Sequence, residues 1–216
     1  KKFHFYKTGA KAAISNILNI DDNLLLITTK NDDFFIFNRK SGQFSNYRLS
    51  VLRPSAYTQI QSCYIDRSKN IWLETNERGV SKFSLRTRKL KHFDLNLSQE
   101  EVGVANPRFY IWEDLKNRLW MQPNGGGLGL YDAKADKLKP FQIPRYANER
   151  SVLMLLHAGF SDRQGDLWIS TRSDGLYKIS FNDKEFRAKT VDPDTLSVST
   201  NEVRSIMADH LKRIWV

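Results

Sequence analysis

One cysteine, Cys63, in 216 residues excludes an internal disulfide and argues against a cysteine-based metal site. Its place between Ser62 and Tyr64, in an apolar strand, predicts a buried structural thiol rather than a reactive one. The four histidines, His4, His92, His157 and His210, show no metal-ligand spacing. No apolar run approaches the roughly 20 residues that a membrane-spanning helix needs. The basic N-terminus lacks the apolar core of a signal peptide, so an export signal of a parent chain would lie outside this segment. Helix-forming stretches are missing as well, because Asn, Asp, Gly, Thr and β-branched residues interrupt every candidate. Neither a nucleophile elbow nor a His-Glu-x-x-His zinc motif occurs. Gly125-Gly126-Gly127-Leu128-Gly129 lacks the Lys-Ser/Thr and the helix of a phosphate loop and reads as a hairpin turn.

Acidic residues are outnumbered, 24 against 34 Lys and Arg, for a net charge of +10. A basic surface can meet nucleic acid, an anionic membrane or an acidic ligand. No nucleic-acid module is present: there are no paired zinc ligands, no basic helix with heptads and no aromatic signature of an RNA-binding sheet. The basic residues are spread along the chain, which suits solvated strand faces. The densest group, Arg86, Arg88, Lys89 and Lys91, falls where an outer hairpin is expected. The composition, 40% hydrophobic and 12% aromatic, is ordinary for a soluble globular domain.

What is there is a repeat. Asp66 and Trp72 stand six apart, as do Asp114 and Trp120, Asp162 and Trp168, and Asp209 and Trp215. The tryptophans recur at intervals of 48, 48 and 47 residues. Thr75 and Thr171 follow their Trp by three, with Pro123 in the copy between. Gly79, Gly127 and Gly175 follow by seven. A degenerate copy precedes these, with Leu26 in the Trp place, a turn one residue shorter after Asp21, and Asp33 for the Gly. Tyr47, Phe93 and Phe141 lie 21 beyond the key position, and Phe186 is the shifted equivalent in the fourth copy. Trp112 alone stands off this lattice.

Each copy reads as about four short strands joined by turns. The expected units are residues 14–47, 60–93, 108–141 and 154–190, with the start of another at 203–216. Residues 1–6 resemble Lys89 to Phe93 and are expected to be the last strand of a preceding unit. Phe34-Phe35-Ile36-Phe37 is too apolar to alternate, as in a strand covered on both faces. The repeated Asp suits turn capping rather than a channel carboxylate. Asn70 is expected to supply the left-handed residue of its turn, and Gly79 a position of positive φ or close backbone approach. The period matches the roughly 40–50 residues of a β-propeller blade. The fold class expected is therefore all-β: a β-propeller of four-stranded antiparallel blades. A blade packs face to face with its neighbours, and a buried Trp at each seam removes roughly 150–250 Å² from water. A sugar-stacking platform is the rival role for these indoles.

The landmarks resemble the two-component regulator propeller repeat. That pattern has a Leu-Ser-x-Asn-like lead-in, an apolar strand ending in Asp, a turn, then Leu/Ile-Trp-Ile-Gly-Thr and Gly-Gly-Leu. Here it stands as Leu196-Ser197 to Asn201, Val203 to Asp209 and Ile214-Trp215-Val216, and again as Asp162 to Thr171 with Gly175-Leu176. Glu74 and Ser170 replace the usual Gly. The resemblance implies a fragment of a seven-bladed propeller in the periplasmic sensor region of a Bacteroidetes hybrid two-component histidine kinase. It further implies an oligosaccharide ligand, a downstream kinase and transcriptional output on the parent chain, and a homodimer formed through that parent. It implies no cofactor, no metal, no nucleic acid bound by this segment and no enzymatic activity of its own.

Ligand contacts are expected on the connections between blades: Arg53, Tyr57, Arg108, Arg145, Tyr146, Arg150, Asn201 and Arg204. Arg and Tyr can hydrogen-bond or stack on a sugar, and Arg can pair with sulfate or carboxylate. The net charge favours an acidic glycan. A propeller lyase or hydrolase, or a scaffold for protein assembly, are the alternatives.

Overall fold

The computed structural model describes residues 3–49, 58–76, 79–94, 109–122, 127–141, 156–171, 176–181, 187–189, 205–211 and 213–215. The chain divides into two compact units, Lys1–Phe93 and Asp94–Val216.

The first unit holds two four-stranded antiparallel meanders. One contains β1 (Ile14–Asn19), β2 (Leu24–Thr29), β3 (Asp33–Asn38) and β4 (Gln43–Arg48), in that spatial order. The other contains β5 (Ile60–Ile65), β6 (Asn70–Thr75), β7 (Val80–Ser84) and β8 (Lys89–Phe93), in the same order. The two sheets meet face to face. Leu26, Phe34 and Ile36 of the first pack with Ile71, Leu73 and Phe83 of the second. The rings of Phe34 and Phe83 meet edge-on at 5.2 Å. On the other face of the first sheet, Phe35 and Phe37 join Ile27 in a separate cluster with Ala10. Burial on both faces is why Phe34 to Phe37 does not alternate. Tyr6 packs its ring on Phe37 at 4.9 Å. Residues 3–6 are in no strand, and Phe3 and Phe5 are 95% and 92% exposed. The preceding sheet that their expected role requires is not among the described residues.

The second unit repeats the plan. β9 (Tyr110–Glu113), β10 (Leu119–Gln122), β11 (Gly129–Asp132) and β12 (Lys137–Pro140) form one sheet. β13 (Leu156–Ser161), β14 (Leu167–Thr171), β15 (Leu176–Ile179) and β16 (Arg187–Lys189) form the next. A two-stranded piece follows, β17 (Met207–Ala208) and β18 (Ile214–Trp215). Trp120 and Leu128 pack with Leu156, Leu167, Ile169 and Tyr177 of the following sheet. Trp112 stands opposite Trp120 in the register. It lies so close over Gly159 that a Cβ there would fall 2.5 Å from the indole.

The repeated landmarks acquire physical roles. Trp72 and Trp120 are fully buried, whereas Trp168 is half-buried and Trp215, within the two-stranded piece, is 53% exposed. The aromatic 21 residues on lies against the key position or its sheet: Phe93 is 5.6 Å from Trp72 and Phe141 is 4.8 Å from Trp120. In the copy without Trp, Tyr47 stacks on Phe34 at 5.3 Å. Phe186 lies outside the described residues.

Gly79 has φ 92°, and a Cβ there would sit 2.4 Å from the Phe93 carbonyl oxygen. That matches both expectations for this position. The turn after Asp66 differs from expectation: the left-handed residue is Lys69, φ 62°, not Asn70. Lys69 N–H donates to the Asp66 carbonyl at 2.9 Å, which closes the turn one residue earlier. Asn70 is instead the first residue of β6, and its side chain donates to Asp66. Asn117 and Gly165 hold the same left-handed place in the next two copies.

Candidate functional site

The most regular polar device in the chain is built on the Asp–Trp spacing. Each Asp divides its two oxygens between two tasks. In the third copy, Asp114 Oδ1 accepts the backbone N–H of Lys116 and of Arg118, at 2.9 and 2.8 Å. Its Oδ2 accepts the indole N–H of Trp120 at 2.9 Å. Asp66, Asp162 and Asp209 accept the indoles of Trp72, Trp168 and Trp215 at 2.8, 2.7 and 2.9 Å. The carboxylate thus caps the turn, as the sequence predicts, and also satisfies the one donor that a buried indole carries. Where Leu26 replaces Trp, Asp21 keeps only the capping bonds, to the N–H groups of Asn23 and Leu24.

A cation covers each of the four indoles, from one of two positions. Arg118 and Arg213, four residues after their Asp, lie over Trp120 and Trp215. Asn70 and Asp166 occupy that fourth place in the other copies. There, Lys82 and Lys178 reach over Trp72 and Trp168 from the third strand. Leu130 holds their position in the copy that has Arg118. Burial opposes ionisation of Asp114, but the Trp120 indole, the Arg118 amide and the Arg118 guanidinium outweigh it and hold the carboxyl below its usual range. These carboxylates are committed to the fold.

A second polar row lies two residues beyond the key position: Thr28, Glu74, Gln122 and Ser170. All four are buried, on strands otherwise rich in apolar residues. Their register partners on the first strands are Asn16, Ser62, Tyr110 and Ala158. Thr28 Oγ1 lies 2.9 Å from Ser15 Oγ and accepts the Asn16 amide at 3.0 Å. Ser62 donates its hydroxyl to Glu74 Oε2 at 2.7 Å. Burial raises the Glu74 carboxyl above its usual range, and the Ser62 bond only partly offsets that. Burial likewise pushes the Cys63 thiol up to about 11, against a hydrogen bond to Thr28. Cys63 is therefore a neutral packed thiol, which agrees with the structural role read from its context.

Beside this row the first strands are irregular. The register shifts between Ile14 and Asn16, between Ile60 and Ser62, and between Leu156 and Ala158. Ser15, Gln61 and His157 are the extra residues. Bulges at one place in three sheets each leave one backbone residue out of the ladder.

A cavity of about 290 Å³ in the second unit is lined by Asp162, Trp168, Lys178, Asp209 and Ile214 among others. Trp168 has its indole N–H taken by Asp162 and its face covered by Lys178.

The eight residues expected to contact ligand, Arg53, Tyr57, Arg108, Arg145, Tyr146, Arg150, Asn201 and Arg204, all lie outside the described residues. The polar row and the bulges were missed by sequence reasoning. Glu74 and Ser170, polar where Gly is usual, were the available signal. Among the described residues, no group of three or more His, Cys, Asp and Glu side chains could hold a metal ion.

No family model and no curated protein sequence matches the chain. Solved structures do. The extracellular domain of the hybrid two-component system BT3049 from B. thetaiotaomicron matches 94% of this chain over 25% of its own length, at 18% identity and TM-score 0.62. That of BT4673 from the same organism matches 98% over 27%, at 15% identity and TM-score 0.60. A streptogramin B lyase matches 94% over 61%, at 12% identity and TM-score 0.57. The class this defines is the β-propeller: four-stranded antiparallel sheets, packed face to face within each compact unit. Within that class, the chain spans about a quarter of the length of the two extracellular domains.

Proposed function

We propose that the chain is part of a ligand-sensing propeller on the periplasmic side of a membrane-bound hybrid two-component histidine kinase. The observation that carries this reading is the likeness of nearly the whole chain to two extracellular domains of such systems. The Asp–Trp repeat supports it, since it matches the sequence pattern of regulator propellers. In this reading the ligand is an oligosaccharide, and the segment binds without catalysing. Remaining blades and downstream domains of the same chain carry the signal to a kinase and a transcriptional output, through a homodimer of the parent chain.

The test uses the whole parent chain in membranes. Autophosphorylation is followed while oligosaccharides from polysaccharide breakdown are added one at a time. A change in phosphorylation with one or a few of them supports the reading. A kinase indifferent to all of them overturns it. The lyase likeness motivates one rival, and the same incubations resolve it: shortened or unsaturated sugars in the supernatant would make the propeller an enzyme.

A further inference from the structure

The net charge of +10 belongs wholly to the first unit. Lys1–Phe93 carries 17 Lys and Arg against seven Asp and Glu, whereas Asp94–Val216 carries 17 of each. Within the first unit, the stretch from Gly79 to Phe93 has five Lys and Arg and no acidic residue. Its turn, between β7 and the edge strand β8, presents Arg86, Thr87, Arg88 and Lys89, all exposed. A turn at the edge of a sheet is a convex tip rather than a cleft.

The turn is closed by the Arg88 N–H, which donates to the Ser84 carbonyl at 2.8 Å. Arg88 holds this place with φ 56°, in the left-handed region. The residue in the same place, 16 beyond the key position, is Gly42 in the first sheet and Asp136 in the third, with φ 69° and 48°. Gly enters that region freely and Asp is tolerated there, but Arg is strained. Turn geometry alone therefore does not select Arg88. Its guanidinium lies over the Tyr47 ring at 5.9 Å and donates one N–H to the Tyr47 hydroxyl, which steadies it against the first sheet. That bond uses one of five N–H donors, and the side chain stays exposed with Arg86 and Lys89.

Strain held at an exposed position points to a role beyond the turn itself. Guanidinium and ammonium groups on a convex tip match phosphates presented side by side on a surface, whereas a soluble anion needs walls to hold it. The matching turn of the third sheet lacks this bias, because Lys134 and Lys137 alternate there with Asp132 and Asp136. We propose that the β7–β8 turn docks on an anionic lipid surface, with Arg86, Arg88 and Lys89 on headgroup phosphates. This rests on the reading of the chain as the extracytoplasmic part of a membrane protein. It assigns the densest basic group to the membrane rather than to an acidic glycan.

The experiment is co-sedimentation of the complete extracytoplasmic chain with vesicles of phosphatidylcholine alone and of phosphatidylcholine with an equal part of phosphatidylglycerol. Only the second should bind, and binding should fade as salt shortens the Debye length from ~10 Å at ~0.1 M to ~3 Å at ~1 M. Arg86→Gln with Lys89→Gln should weaken it about 25-fold, roughly fivefold for each cation brought to the surface. Both side chains are exposed, so the melting temperature should not move. Arg88→Gly should weaken binding about fivefold, although Gly42 shows that Gly fits this turn. Lys134→Gln with Lys137→Gln removes the same charge from the same places of another sheet and should leave binding unchanged. Equal losses from the two pairs would reduce the effect to net charge and overturn the surface. Indifference to phosphatidylglycerol would do the same, as would a sulfated polysaccharide that binds through Arg86 and Lys89 where the vesicles do not. The sensor reading survives each of these results, since the kinase response to oligosaccharides is measured separately.

Discussion

Asp114 shows how much one side chain does in this repeat. It is 1% exposed and joins two backbone amides, an indole and a guanidinium. Asp114→Asn places an amide N–H₂ among those donors. It should destabilise the fold by about 2–4 kcal/mol at neutral pH, as a buried group stripped of its charge partners does. The sign of the pH dependence follows from the depressed carboxyl. Its contribution is fully present above the ordinary value of 3.8 and is lost as pH falls through the lower folded value. Thermal melts of both proteins should therefore keep their gap from pH 7 down to the ordinary carboxylate value of 3.8 and draw together only as pH falls below it. A constant gap would mean that charge is not what the indole and guanidinium recognise. The sequence showed that this Asp was obligatory in each copy and suggested a cap. It could not show the indole partner, because a spacing of six says nothing about which face a turn presents to the strand beyond it.

At the scale of the element, two comparisons separate conformation from crowding and one position from another. Gly165 has φ 84°, and a Cβ there would meet only Lys116 Cε at 3.9 Å. Gly165→Ala should cost about 1–2 kcal/mol, the left-handed penalty alone. Gly79→Ala adds a Cβ 2.4 Å from a backbone oxygen to a similar φ. It should cost about 3 kcal/mol or more once overpacking is included. Equal losses in urea unfolding would show that the strand entry at Gly79 relaxes freely. The cation over each indole offers a rescue experiment. Arg118→Asn should lose about 1–2 kcal/mol. Leu130→Lys in that background should restore part of it, because Lys82 and Lys178 already act from that register. If the double variant is no more stable than Arg118→Asn alone, the two positions are not interchangeable. The bulges at Ser15, Gln61 and His157 were not legible beforehand: alternation identifies a strand, but one inserted residue in six leaves it too short to reveal the slip. Lys69 was missed for a related reason, since a left-handed residue is expected at Asn or Gly and this turn has Asn one place later.

For the whole molecule, the period of 48 was enough to give the strand order within each sheet, because each copy is a meander in which strands adjacent in sequence pair. The candidate contacts in the connections were chosen by residue type, which carries no register, and the structure places other polar residues at the strand ends. Each compact unit has a core of its own, one around Phe83 and one around Trp120. Repeat architectures distribute stability between such neighbours, so damage stays local when the coupling is weak. Phe83→Ala and Trp120→Ala should each cost about 3–5 kcal/mol at their own seam. Hydrogen exchange read by mass spectrometry should then show Trp120→Ala loosening β9 to β16 while β1 to β8 keep most of their protection. Phe83→Ala should do the reverse. Exchange that rises uniformly along the chain in either variant would show one cooperative fold. Local loss would instead show that each seam, with the indoles or rings packed into it, holds its own pair of sheets.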